Sequence, residues 1–225
     1  CRGNAKRELK DYSGAIEDYT KAIELNPKND FAYGNRGNAK RELKNYKGAI
    51  EDFSKAIELN QTDALAYGNR GDTKIKLHDF NGALEDLNIA IELNPNDAFA
   101  YCARGIAKSE LTDYNVAIED FDKAIELKPE NAVAYEFRGK AKSELQDYRS
   151  AIEDFNIAIE LNPENALAYD SRGIAKKELK DYIGEIEDYS KAIELNPEDA
   201  IAYYNRGNAK YELQDYIGAI EDFNK

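Results

Sequence analysis

The chain repeats itself every 34 residues, and that period constrains its fold more than any other feature. The phrase AIELNP recurs at 22–27, 90–95, 158–163 and 192–197, with AIELNQ at 56–61 and AIELKP at 124–129 filling the gaps. No insertion breaks the register. The 225 residues divide into a single array of about seven units: 1–29 (partial), 30–63, 64–97, 98–131, 132–165, 166–199 and 200–225 (partial). A unit this short cannot bury a core alone, so it must stack on its neighbours.

Each unit reads as two helices. Asn29 is the expected N-cap of a first helix, with Asp63, Asp97, Asn131, Asn165 and Asp199 as its counterparts. That helix runs to about Leu43, and Lys44, Asn45 and Tyr46 turn the chain. Asn45, like Asp11, Asp79, Asp113, Asp147, Asp181 and Asp215, then caps a second helix running to about Leu59. Pro27, Pro95, Pro129, Pro163 and Pro197 end the second helix, because Pro cannot continue it. Gln61 stands in for Pro once, and a looser junction is expected there. The core stripe of the first helix is Ala32, Arg36, Ala39 and Leu43; that of the second is Ala49, Ile50, Phe53, Ala56, Ile57 and Leu59. Gly3, Gly37, Gly71, Gly105, Gly139, Gly173 and Gly207 form a column in mid-helix. Each costs about 1 kcal/mol against Ala, which points to close helix–helix approach, with Tyr33, Tyr46 and Phe53 filling the space around it.

Tyr33, Gly37, Tyr46, Ala49, Phe53 and Ala56, with the closing Pro, recur in almost every unit. This pattern resembles the tetratricopeptide repeat family over the whole chain. The resemblance implies an all-α fold: antiparallel helix pairs stacked into a right-handed superhelix, first helices lining an inner groove and second helices outside. Arg36 and its counterparts stand where the family often has an aliphatic residue, and Glu185 where it has Ala.

Composition narrows the chemistry. With 31 Lys and Arg against 44 Asp and Glu the net charge is −13, the opposite of the basic stripe that a phosphate backbone requires. No apolar run is long enough to cross a membrane, and no secretory leader is expected. Cys1 and Cys102 make neither a disulfide framework nor a thiolate metal site, and the one histidine leaves little acid–base or zinc chemistry. Cys1 aligns with a mid-helix position, so a cut inside a longer array is expected rather than a lipidated terminus.

A residue present in every unit is a fold residue first. The ladder Arg2, Arg36, Arg70, Arg104, Arg138, Arg172 and Arg206 is matched by Asp18, Asp52, Asp86, Asp120, Asp154, Asp188 and Asp222. One ion pair per unit, between its two helices, is expected rather than an anion-binding spine. Glu51-Asp52 and its counterparts are neighbours about 100° apart on a helix, so they do not converge on a metal or a substrate. His78, in a turn beside Asp79, is expected to be incidental, and the sequon Asn60-Gln61-Thr62 is near chance. Glu185 replaces Ala in a close-packed column and is expected to tilt toward Arg172 or solvent, the alternative being a weakened interface that flexes or receives a partner.

What varies between units is one stripe of the first helix, stepping as Phe31, Gly34, Asn38 and Arg41, with Asn35 beside it. The resemblance places this stripe on the groove. Its candidate partner-binding residues are Asn4, Arg7, Phe31, Asn35, Asn38 and Arg41, then Asn69, Asp72, Ile75, Cys102 and Ile106. Further along come Glu136, Phe137, Lys140, Asp170, Lys177, Tyr204, Asn208 and Tyr211. Asn can grip a peptide backbone as donor and acceptor, and the apolar residues can hold side chains. The column Phe31, Leu65, Phe99, Val133, Leu167 and Ile201 is always apolar and is expected to pack against the neighbouring unit, lining the groove only in part. Gly34, Gly68, Cys102, Glu136, Asp170 and Tyr204 include no Lys, so the carboxylate clamp of some family members is not expected. The expected function is a non-enzymatic scaffold binding a peptide or partner protein, without cofactor, metal, nucleic acid or membrane insertion. The alternative is a structural protein stacking head to tail on its own copies into a filament. The compartment stays open, with the cytoplasm slightly favoured.

Overall fold

The computed structural model describes residues 2–225, and all regular structure among them is helical. Two compact units emerge, Cys1–Asp113 and Tyr114–Lys225. The first holds α1 (Arg2–Glu8), α2 (Tyr12–Leu25), α3 (Asp30–Glu42), α4 (Tyr46–Leu59), α5 (Ala64–Ile75), α6 (Phe80–Leu93) and α7 (Ala98–Glu110). The second holds α8 (Tyr114–Leu127), α9 (Ala132–Glu144), α10 (Tyr148–Leu161), α11 (Ala166–Glu178), α12 (Tyr182–Leu195), α13 (Ala200–Glu212) and α14 (Tyr216–Phe223). Within each unit every helix packs on the next, and first helices also touch one another, as α3 with α5, α5 with α7 and α9 with α11. This is the α-α solenoid of stacked antiparallel pairs.

Short polar punctuation sets the path. The carboxylate of Asp11 accepts from the Gly14 amide at 2.9 Å, and Asn45, Asp79, Asp147, Asp181 and Asp215 repeat that cap. Each first helix ends with its last carbonyls turned onto the next cap. The Lys44 amide donates to the Arg41 carbonyl at 2.8 Å and the Asn45 amide to the Lys40 carbonyl at 2.9 Å. The turn forces its middle residue into the left-handed region: Lys10, Lys44, His78, Thr112, Gln146, Lys180 and Gln214 have φ between 59° and 66°, and none is Gly. His78 is thus a turn residue.

The mid-helix glycines seat the second helix. A Cβ on Gly37 would stand 2.8 Å from the Phe53 ring, and one on Gly71 would stand 2.7 Å from Leu87 Cγ and 3.2 Å from the Ala83 carbonyl oxygen. Phe53, Leu87 and Phe155 are fully buried in consequence. Above this contact lies the expected ion pair. Arg36 forks Asp52 at 2.9 and 2.7 Å, and Arg70–Asp86, Arg138–Asp154, Arg172–Asp188 and Arg206–Asp222 repeat it. The periodicity argument overlooked a third member. Lys40 also reaches Asp52, at 2.7 Å, as Lys74, Lys142, Lys176 and Lys210 reach Asp86, Asp154, Asp188 and Asp222. Each of these five Asp residues therefore carries two cations. The same Arg reaches back to the preceding second helix, Arg36 to Thr20 at 3.1 Å and Arg70 to Ser54 at 3.0 Å, so the pair ties units as well as helices.

Two expectations change. The junction at Gln61 is not looser: its C-cap Asn60 has φ −141° and ψ 92°, against −143° and 90° at Asn26 before Pro27. The helix-end hydrogen bond from the Asn60 amide to the Ala56 carbonyl holds that geometry without a proline. Asn165 stands at the cap position of α11, but its side chain makes no cap bond. Its Nδ2 donates to the buried Glu136 carboxylate at 2.7 Å, and that contact orients the amide toward α9 rather than the start of α11.

Candidate interaction surface

In the first unit the variable stripe is a chain of side chains bonded to one another. The Tyr19 hydroxyl donates to Asn4 at 2.8 Å, and Asn35 Nδ2 donates to the Phe31 carbonyl at 2.7 Å. Arg7 donates to Asn35 Oδ1 at 2.9 Å; Arg41 donates to Asn69 at 3.1 Å and to Asp72 at 3.0 Å. The asparagines expected to grip a ligand backbone are thus largely spent in bridging successive first helices. Asn38 is the exception, with a buried Oδ1 that has no partner. Ile75 and Cys102 are buried, and Ile106 packs against the core around Leu87, so these three present little or no ligand surface.

The apolar column behaves contrary to expectation. It does not pack away. Phe31 is 74% exposed and Leu65 66%, with Phe99 at 44%; in the second unit Val133, Leu167 and Ile201 stand at 47%, 60% and 72%. Two clefts of about 400 Å³ lie in the first unit. One brings Asn4, Phe31 and Asn35 together beside Tyr19 and Asn29. The other, at the edge where first helices turn into second helices, joins Arg7, Asn38, Arg41 and Asn69 with Glu8, Tyr12 and Glu42.

In the second unit Glu136 is buried, ion-paired to Lys140 and bonded by Asn165, while the Lys140 ammonium also lies 4.8 Å over the Phe137 ring. Asp170 has a buried Oδ1 without a partner; burial first, then the charge of Asp199, raises its carboxyl to about 6. Tyr204 is exposed, its ring 5.8 Å from that of Phe223. Lys177, Asn208 and Tyr211 line a turn-edge cleft of about 380 Å³ with Glu178, Lys180, Tyr182, Glu185, Ala209 and Glu212. One period step after another carries Arg7 to Lys177, Tyr12 to Tyr182, Asn38 to Asn208 and Arg41 to Tyr211, so this is the counterpart of the Arg7–Arg41 cleft. The sequence reading missed Tyr12, Tyr182 and the flanking glutamates because they recur in six of the seven units, with Phe80 and Lys76 the exceptions, and so read as fold residues.

Glu185 neither tilts to solvent nor reaches Arg172, whose guanidinium is taken by Asp188 and Asn156. It is 1% exposed, its Oε2 has no hydrogen-bond partner, and it faces the cleft. Burial pushes its carboxyl up to about 7, opposed by Lys177 and reinforced by Asp181, Glu178 and Glu212.

The class that this fold defines is the repeat solenoid of stacked antiparallel helix pairs. Family profiles described as tetratricopeptide repeat match residues 31–63, 64–97, 100–131 and 132–165, and one described as TPR repeat matches 3–43 and 184–214. The chain belongs to the tetratricopeptide repeat family. A comparison with curated proteins returns no significant match. Among solved structures, the APC/C hetero-tetramer Cut9-Hcn1 is similar with a TM-score of 0.85 at 20% identity; the match covers 92% of this chain but 41% of that one. This chain thus spans less than half of that relative. YrrB, a TPR protein with an unusual peptide-binding site, gives 0.63 at 22% identity, covering 83% and 96%. MamA from Desulfovibrio magneticus RS-1 gives 0.66 at 26%, covering 72% and 91%.

Proposed function

We propose that the chain is a non-enzymatic interaction scaffold that holds a peptide or partner protein along the first-helix faces of its repeats. The observation that carries this is the apolar column. A solenoid needs its repeated apolar residues inside, yet Phe31, Leu65, Leu167 and Ile201 are each at least 60% exposed. Such a series, renewed every 34 residues beside polar clefts, supplies side-chain sockets at regular intervals. The Arg7–Asn35 and Arg41–Asn69 bridges hold the helices that carry it, so little ordering entropy is lost on binding. YrrB, of the same fold, is a precedent for peptide binding on this architecture.

The test is a display-library selection of peptides against the chain, followed by the double variant Phe31→Ser, Leu65→Ser. Both side chains are exposed, so the melting curve should not move. Selected peptides should lose at least tenfold in affinity, about 1.4 kcal/mol. Unchanged affinity would overturn the reading.

A further inference from the structure

The two turn-edge clefts occupy the same place in the repeat but differ in charge. In the first unit the cleft is lined by the chain's own guanidinium groups, Arg7 and Arg41. In the second unit both arginines are gone, replaced by Lys177 and Tyr211, and a carboxylate enters from below where the other six units have Ala: Ala15, Ala49, Ala83, Ala117, Ala151 and Ala219. Tyr182 and Tyr211 line the same cleft, and Tyr211 is 58% exposed, its ring 5.3 Å from that of Tyr216 in an edge contact.

An orphan buried carboxylate oxygen next to tyrosine faces is half of an arginine site. The chain shows the other half repeatedly. Arg36 forks Asp52 while lying 5.5 Å over the Tyr33 ring, and Arg172 forks Asp188 while lying 5.5 Å over Tyr169. Among the described residues no cation completes this arrangement at Glu185. Lys177 and Lys180 are exposed at the rim and form no ion pair with it, and Lys176 is held by Asp188. We propose that this cleft takes the guanidinium side chain of an arginine on a partner protein, ion-paired to Glu185 and flanked by Tyr182 and Tyr211. Burial makes the pairing selective: a guanidinium is more weakly hydrated than an ammonium and presents a planar fork to the carboxylate.

The proposal does not depend on the apolar column and can fail separately. Its probe is the capped peptide acetyl-Gly-Arg-Gly-amide, titrated into the full chain with NMR detection at the Tyr182 and Tyr211 rings. Bound arginine requires ionised Glu185. The charged groups around that carboxyl are Lys177, Glu178, Lys180, Asp181 and Glu212, with the Tyr189 phenol on its own helix. With the free carboxyl titrating at about 7, affinity should be roughly tenfold higher at pH 8 than at pH 6. Glu185→Ala folds, because Ala is the resident of that column, and should abolish binding. Glu187→Ala removes the same charge from an exposed site and should leave it unchanged. The proposal is overturned by equal binding of the citrulline peptide, by equal loss in both variants, or by no ring shift up to about 10 mM peptide. Agmatine binding as tightly as the peptide would assign the cleft to a small free guanidine and overturn the protein partner.

Discussion

The turn-edge cleft of the first unit and that of the second share a backbone and differ in what satisfies their polar atoms. Arg7 and Arg41 close the first with bonds to Asn35, Asn69 and Asp72. In the second, Glu185 keeps a buried oxygen without a partner; Asp170, outside the cleft, keeps another, and the Tyr189 phenol on α12 is raised by burial first and then by both carboxylates. The lesson concerns where a repeat protein can afford individuality. The Arg–Asp–Lys triads are the same in both units, so they cannot distinguish one cleft from the other. Whatever distinguishes them comes from side chains that a helix carries without needing them.

The sharpest way to break the comparison is to attack what the units share. Asp52→Ala strands Arg36 and Lys40, and Asp188→Ala strands Arg172 and Lys176. Leaving a buried charge without its partner costs on the order of 3–5 kcal/mol, and the loss should be equal in the two units. Chemical denaturation of each variant reads it. Unequal losses beyond about 1 kcal/mol would show that the triads are not interchangeable.

Next comes the feature the units do not share. Glu185 has an ordinary value of 4.5 raised to about 7 in the fold, so the folded chain holds a proton that the unfolded chain releases. Stability from this group is present below about 4.5 and is lost as pH rises toward 7, beyond which the penalty is constant. Glu185→Ala should therefore gain little at pH 4 and on the order of 3 kcal/mol at pH 8. Ala15→Glu, at the same place in the first unit, should reverse the effect; Lys6 bonds the Gly14 carbonyl there as Lys176 bonds that of Gly184, so the two sites compare directly. A pH-independent gain at Glu185 would mean that packing, not charge, sets its cost.

The glycine column separates the units more finely. At Gly71 a Cβ meets Leu87 Cγ at 2.7 Å and a backbone oxygen at 3.2 Å, and neither can withdraw. At Gly173 the nearest atom is Tyr189 Cζ at 3.1 Å, so the ring need give way by only a few tenths of an ångström. Gly71→Ala should lose about 1–2 kcal/mol, since overpacking outweighs the gain in helix propensity; Gly173→Ala should stay within about 0.5 kcal/mol of the parent. Thermal melts of the pair decide it, and a larger loss at Gly173 would mean that Tyr189 is pinned.

Much of this was legible before any coordinates. A 34-residue period with caps, prolines and a glycine column yields the helix pairs, their ends and the Arg–Asp partnership from spacing alone. The site was less legible for three physical reasons. Lys40 escaped notice because a long flexible side chain covers distance that residue spacing does not encode. Asn35 and Asn69 read as free ligands because their partners, Arg7 and Arg41, lie 28 residues earlier, across a helix pair that a helical wheel does not show. Phe31 was misjudged because burial depends on the neighbour's reach, and a column of apolar residues looks the same in sequence whether covered or bare.

The smallest effect tests the shared backbone itself. Lys44 in the first unit and Gln146 in the second hold left-handed turns with φ of 59° and 64°. A side chain in that region costs roughly 1–2 kcal/mol that Gly avoids, while Gly loses about 0.5–1 kcal/mol through its freer unfolded chain. Lys44→Gly and Gln146→Gly should each stabilise by about 0.5 kcal/mol, additively in the double variant because the two turns share no side-chain partner. Denaturant midpoints at unchanged slope report it. If one substitution stabilises and the other does not, the turns differ in something besides dihedral angle, and the units are not the same scaffold carrying different side chains.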